Sequence, residues 1–132
     1  MTTFSMLMKL SIVGIKDNGT DDECVLIKVE EDCNLNKYIL YDETFDENGN
    51  SSNKVPHMYR FDSIEVKKGE YVSLYTKGRK GYSTSTMKNP KDAPLHIIRR
   101  GLDISIFNLE GDTAHLVQIN AEDSDCVTKK KE

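Results

Sequence analysis

Three features of the sequence predict an all-β domain built from two sheets packed face to face. Short apolar runs alternate with a period of two, as where Val25, Ile27 and Val29 interleave with Lys28 and Glu30, the spacing that turns one strand face toward a core. Turn signals separate these runs at the regular intervals of a sandwich or barrel, which gives about eight short strands. No longer window carries the i, i+3, i+4 apolar recurrence of an amphipathic helix, and there is no internal repeat.

The elements follow in order. Met8 to Ile15 is the first strand, closed by Asp17-Asn18-Gly19-Thr20, where Asn-Gly marks a tight reversal. Cys24 to Glu30 is the second strand. Asp32-Cys33-Asn34 turns the chain into Leu35 to Tyr41 (LNKYILY), expected to pair antiparallel with the second strand as its sequence neighbour. Asp42 to Lys54 is a long acidic loop. His57 to Phe61 is a short strand, and Ile64 and Val66 lead through Lys67-Lys68-Gly69-Glu70 into the strand Tyr71 to Thr76 (YVSLYT), rich in β-formers. Lys77 to Asp92 is expected to be a second polar loop, followed by a short apolar run from Leu95 to Ile98. Ile104 to Asn108 and Thr113 to Ile119 flank Leu109-Glu110-Gly111-Asp112, and this is expected to be a terminal hairpin with Gly111 at the positive φ of the reversal. Residues 1–120 are expected to form one domain, and 121–132 a polar, frayed tail.

At 132 residues a single domain buries about 65 to 70% of its unfolded surface, enough for a core without staples. Hydrophobic residues are 37% of the chain and charged residues 30%, with no Trp, a lean balance that implies solvated loops. Cys24, Cys33 and Cys126 form no C-x-x-C pair and are odd in number, so free thiols in a reducing compartment are expected. The N-terminal run Met1 to Ile15 is broken by Lys9 and lacks a basic leader, which disfavours a signal peptide and leaves a cytoplasmic location expected, with secretion open. No run approaches the roughly 18 apolar residues of a membrane helix, so no membrane partner is expected.

The runs Val66 to Lys77 (VKKGEYVSLYTK) and Gly101 to Ile119 (GLDISIFNLEGDTAHLVQI) resemble the second half of the lamin-tail domain, with Gly111-Asp112-Thr113-Ala114 opening the last strand. Leu35 to Asp42 (LNKYILYD) resembles an earlier strand of that family. The resemblance spans about Cys24 to Ile119, and its motifs specify turns and core positions. It implies an immunoglobulin-like β-sandwich and an accessory or interaction role without catalysis. The chain departs from the family in having no Trp, for which Tyr38 and Phe107 are the candidate replacements, and no Gly after the last strand.

Catalytic signatures are missing from the sequence. It holds no G-x-S-x-G elbow, P-loop or H-E-x-x-H, and His57, His96 and His115 are far apart; a small hydrolase would need one of them to converge with a carboxylate in a pocket. Asp46, Asn48 and Asn50 have the spacing that begins an EF-hand, but Ser51 stands where Gly is required and His57 where a bidentate Glu is required. A looser calcium set of Asp42, Glu43, Asp46 and Glu47 competes with a plain solvated loop. No cofactor is expected.

Charge asymmetry is the most informative feature. From Lys77 to Arg100 seven basic residues meet one acid, Asp92, so this segment carries +6 within a chain of net charge -4. The binding candidates are Lys77, Arg79, Lys80, Tyr82, Arg99 and Arg100: five cations and one ring that could contact nucleic acid or an anionic glycan, or an acidic surface on another copy. The plain alternative is a solvated loop, favoured by the acidic pI of about 5.4. The leading expectation is a non-catalytic interaction module, with a protein partner or self-association; a weak polyanion binder is the alternative.

Overall fold

The computed structural model describes residues 8–43, 57–107 and 109–128. Among these residues the chain is all-β, with ten strands, one 3₁₀ turn at Leu35–Lys37 and no α-helix. In chain order the strands are β1 Leu10–Lys16, β2 Cys24–Val29, β3 Cys33–Asn34, β4 Tyr38–Glu43, β5 Met58–Arg60, β6 Glu65–Val66, β7 Tyr71–Lys77, β8 Gly81–Thr86, β9 Pro94–Leu102 and β10 Thr113–Gln118. No helix among them is long and apolar enough to cross a membrane.

A five-stranded sheet runs β1-β2-β7-β9-β8, a three-stranded sheet runs β10-β4-β5, and β3 pairs with β6 in a small ribbon. Every pairing is antiparallel except β7 with β9. The two larger sheets share one core, in a sandwich-like arrangement: Val25, Ile27, Val29, Val72, Leu74 and Ile98 of the first join Tyr38 and Leu40 of the second. β7 is central because Tyr71 to Thr76 suits a strand covered on both sides, and all but Tyr75 of these six are buried.

Several sequence expectations are corrected. The strand expected at Leu35 to Tyr41 begins as the 3₁₀ turn, with the Asn34 side chain accepting from the Asn36 N–H, and continues as β4. It does not pair with β2. β2 is flanked by β1 and β7, and β4 by β10 and β5, so alternation located both strands but could not say which sheet each joins. The expected polar loop at Lys77 to Asp92 contains β8, whose side chains are all exposed and so leave no apolar alternation to read. The apolar run expected at Leu95 to Ile98 lies in the first half of the nine-residue β9.

The expected terminal hairpin is the largest correction. Gly111 does take a positive φ of 93°, but β10 pairs with β4 and the segment 104–107 is not a strand. Ile106 and Phe107 instead enter the core under the control of a buried carboxylate. Glu23 is fully buried and accepts four hydrogen bonds: from the backbone N–H groups of Gly19 at 2.9 Å, Ile106 at 3.0 Å and Phe107 at 3.0 Å, and from the Thr76 hydroxyl at 2.6 Å. Burial alone would raise its pKa, but the Thr76 hydroxyl and the three amides outweigh it and hold the carboxyl below its ordinary value. Beyond β10, residues 121–128 carry no regular structure, and Arg60 grips Glu122 through Nη1 at 2.7 Å and Nη2 at 3.0 Å.

Glu23→Gln places an amide N–H against donors, and is expected to cost about 3 kcal/mol, or about 10 °C in melting temperature. Because the folded carboxyl titrates below its ordinary value, its contribution is complete above the unfolded value of about 4.3 and is lost as the pH falls through the folded value. Melting curves of both proteins from pH 7 downward should therefore converge on acidification. A gap that stays constant to pH 2 or widens would contradict this account.

Candidate functional site

The basic segment is shaped by an inserted strand. β7 and β8 are consecutive and joined by only Gly78, Arg79 and Lys80, yet β9 lies between them, parallel to β7 and antiparallel to β8. The three-residue connection therefore crosses the end of β9 at close range. A Cβ on Gly101 would stand 3.2 Å from Lys80 Cβ and 3.4 Å from the Lys80 backbone N, and one on Gly78 would stand 3.2 Å from Arg99 Cδ. Both glycines also hold positive φ, 97° at Gly78 and 81° at Gly101, so the crossing requires residues without a side chain.

This geometry disperses the six sequence candidates. Lys77 pairs with Asp21, Nζ to Oδ1 at 2.9 Å. Arg99 lays its guanidinium over the Tyr75 ring, 4.3 Å from the centroid. Arg100, its neighbour on β9, is set over Tyr59 at 5.3 Å and donates to the Met58 carbonyl at 3.3 Å. Burial pulls the Arg100 guanidinium below its ordinary pKa, against the pull of Asp42 and Tyr59, and its Nη1 is buried without a hydrogen-bond partner among the described residues. Three of the five cations are thus engaged within the protein. Arg79 and Lys80 are exposed and make no ion pair or side-chain hydrogen bond with a described residue.

Tyr82 is half-exposed and reaches inward. Its hydroxyl lies 2.7 Å from His96 Nδ1, and the two rings stack at 6.0 Å. His96 Nε2 lies 2.9 Å from Glu70 Oε1. A carboxylate only accepts, so Nε2 carries the proton, and in the neutral ring Nδ1 accepts from Tyr82. Burial raises the Glu70 pKa, but the His96 bond and the Lys67 amide more than offset it and hold it below the ordinary value. The chain of three fastens β8 to the body of the protein. The other histidines are elsewhere: His57 beside Asp42 at 3.3 Å, and His115 beside Glu43 at 2.8 Å with its ring stacked on Tyr41 at 4.8 Å.

Two of these groups, Tyr82 and His115, border a cavity. The cleft beside Tyr82 measures 110 Å³ and is lined by Lys80, Arg99, Tyr59 and Asp62 among others, well below the roughly 300 Å³ at which ligand pockets begin. A groove of 570 Å³ lies between β1 and β10, and its lining joins His115 and Glu30 to Leu10, Ile12, Ala114 and Leu116. Among the described residues no group of three or more His, Cys, Asp or Glu could hold a metal ion. Of the looser calcium set, Asp42 is buried beside His57 and Glu43 pairs with His115, while Asp46 and Glu47 lie outside the described residues. Cys24, Cys33 and Cys126 are all free, and burial raises the pKa of Cys24 and Cys33.

The feature that sequence reasoning missed is β8 itself. Among the described residues it is an edge strand, with β9 on one side and no strand on the other. The Met87 N–H donates to the Ala93 carbonyl, and Thr86 stands opposite Pro94, which has no N–H. Antiparallel pairs alternate between bonded and non-bonded, so Ser85, Ser83 and Gly81 bond to β9 while Tyr82, Thr84 and Thr86 turn their N–H and C=O groups outward. The signal that could have found it was composition: GYSTST holds one Tyr and two Thr, all β-formers.

No protein-family model, curated protein or solved structure matches this chain.

Gly101→Ala is expected to lower stability by about 2 kcal/mol, through positive φ and the contact with Lys80, with faster amide exchange across β8. A variant as stable as the parent would remove the close crossing as the constraint on this segment.

Proposed function

We propose that this chain is a non-catalytic interaction module, an immunoglobulin-like sandwich of the lamin-tail kind, which binds partners by accepting an added strand along β8. One observation carries the reading. Six consecutive residues, all exposed, form an edge strand with no proline and no charge, whereas proteins that keep an edge closed place such residues within it. An incoming extended segment would bond to the outward groups of Tyr82, Thr84 and Thr86, as in β-augmentation. The lamin-tail reading draws support from placement: Val66 to Lys77 runs from the last residue of β6 through a Gly turn and the central strand, and Gly111 to Ala114 leads into β10. Free cysteines favour a cytoplasmic setting.

Peptides selected from an unbiased extended-sequence library on the immobilised chain are expected to be strand-formers. Thr84→Pro should abolish their binding while shifting the melt by less than about 1 kcal/mol, because the lost N–H faces outward. Ser83→Pro removes a ladder bond to β9, so it should destabilise by about 3 kcal/mol or more. Should Thr84→Pro unfold the chain, Thr84→Lys supplies the same block by charge. Failure to enrich any peptide, or equal binding by the Thr84 variants, would refute strand addition.

A second reading, a weak polyanion binder, draws on Arg79 and Lys80 standing unpaired just before β8, with Lys80 lining the same cleft as Tyr82. Two phosphate contacts give a slope of log affinity against log salt of about -1.8 for duplex DNA. Anisotropy titrations of labelled DNA and a sulfated glycan at 20 to 200 mM salt (roughly the range over which such binding falls) should show that slope and lose it in the Arg79→Glu, Lys80→Glu double variant. A salt-independent signal, or none at the lowest salt, would end this reading.

A further inference from the structure

We infer that the strand received by β8 is an extended segment of another protein with acidic residues at both ends, and that a second copy of this chain is not its partner. The inference rests on the strand-addition reading above and adds the chemistry of what binds.

The edge itself offers little side-chain selection. Ser83, Ser85, Thr84 and Thr86 are small hydroxyl residues, and the hydroxyl of the one ring, Tyr82, is already held by His96. Outward amides and carbonyls bond to any extended backbone. Selection then falls to what flanks the strand. Arg79 and Lys80 stand immediately before Gly81, and Lys88 and Lys91 follow Thr86; all four are exposed and make no side-chain bond with a described residue. Six residues at about 3.3 Å each separate the two basic ends by roughly 20 Å, so they act on opposite ends of an added strand. Asp92 is the one acid between Lys77 and Arg100.

The same charges turn away a copy of this chain. Antiparallel pairing of β8 with another β8 sets Arg79 and Lys80 of one molecule against Lys88 and Lys91 of the other. Parallel pairing sets each basic end against itself. Like charges meet in both registers, and the net charge of -4 on each chain adds repulsion at longer range. An acid-flanked segment meets attraction at both ends. Exclusion of self by charge and admission of a complementary strand are one device, in which the flanking cations act as negative selection.

The test follows individual amides by NMR hydrogen exchange on the full chain. Two nine-residue peptides share a Thr-Val-Thr-Val-Thr centre; one carries Asp-Glu and Glu-Asp ends, the other paired Lys ends. At ten times its dissociation constant the acidic peptide should slow exchange at Tyr82, Thr84 and Thr86 about tenfold, with Ser83 and Ser85 slow throughout. The Lys-ended peptide should have no effect, and Arg79→Glu with Lys88→Glu should reverse the preference. Equal slowing by both peptides would overturn the inference while leaving strand addition intact. Slowing at the same amides in the free protein as its concentration rises would assign the edge to a second copy and overturn it. No slowing by either peptide overturns both.

Discussion

The structure depends on one buried carboxylate. Glu23 sits just before β2 at zero exposure, a position tolerable for an ionised group only when its oxygens are fully bonded. Its four donors come from three regions distant in sequence: the turn before it, the end of β7, and the segment after β9. The backbone reinforces this, with the Thr76 N–H donating to the Glu23 carbonyl at 3.1 Å. This carboxylate therefore fixes the exit from the inserted strand, because it turns 104–107 inward and delivers Ile106 and Phe107 to the core before the chain crosses to the other sheet.

The insertion of β9 is the second constraint. A parallel pair requires a crossover, and here β8 and the residues after it make that crossover within the same sheet. The cost is a tight passage at Gly78 and Gly101. The result is that β8 is displaced to the edge, fastened on its inner side by the ladder and by the Tyr82, His96 and Glu70 chain, and left with half of its backbone groups facing water.

Three of the seven cations between Lys77 and Arg100 are engaged within the protein. Lys77, Arg99 and Arg100 satisfy Asp21 and two aromatic rings, and each histidine stands beside a carboxylate. The other four cations of that segment bracket β8, so what reads as one basic patch in the sequence is two small basic ends on an uncharged strand. That difference separates a surface for a polyanion from one for an acid-flanked strand.

The sequence by itself determined the fold class and most strand positions. Period-two burial is local, so Val25, Ile27 and Val29, or Tyr71 to Thr76, declare themselves without knowledge of their neighbours. Gly111 likewise declared its turn, since positive φ is a property of one residue. Only the tertiary structure decided which strands pair, because register partners such as Leu40 and Leu116 lie far apart in the chain and alternation looks alike in every sheet. It also decided the fate of 104–107, whose apolar pattern suits a strand, but whose backbone donors found Glu23 instead. β8 was illegible for the opposite reason: an edge strand exposed on every side chain has no burial pattern to write into its sequence, and its open backbone groups exist only because β9 lies beside it.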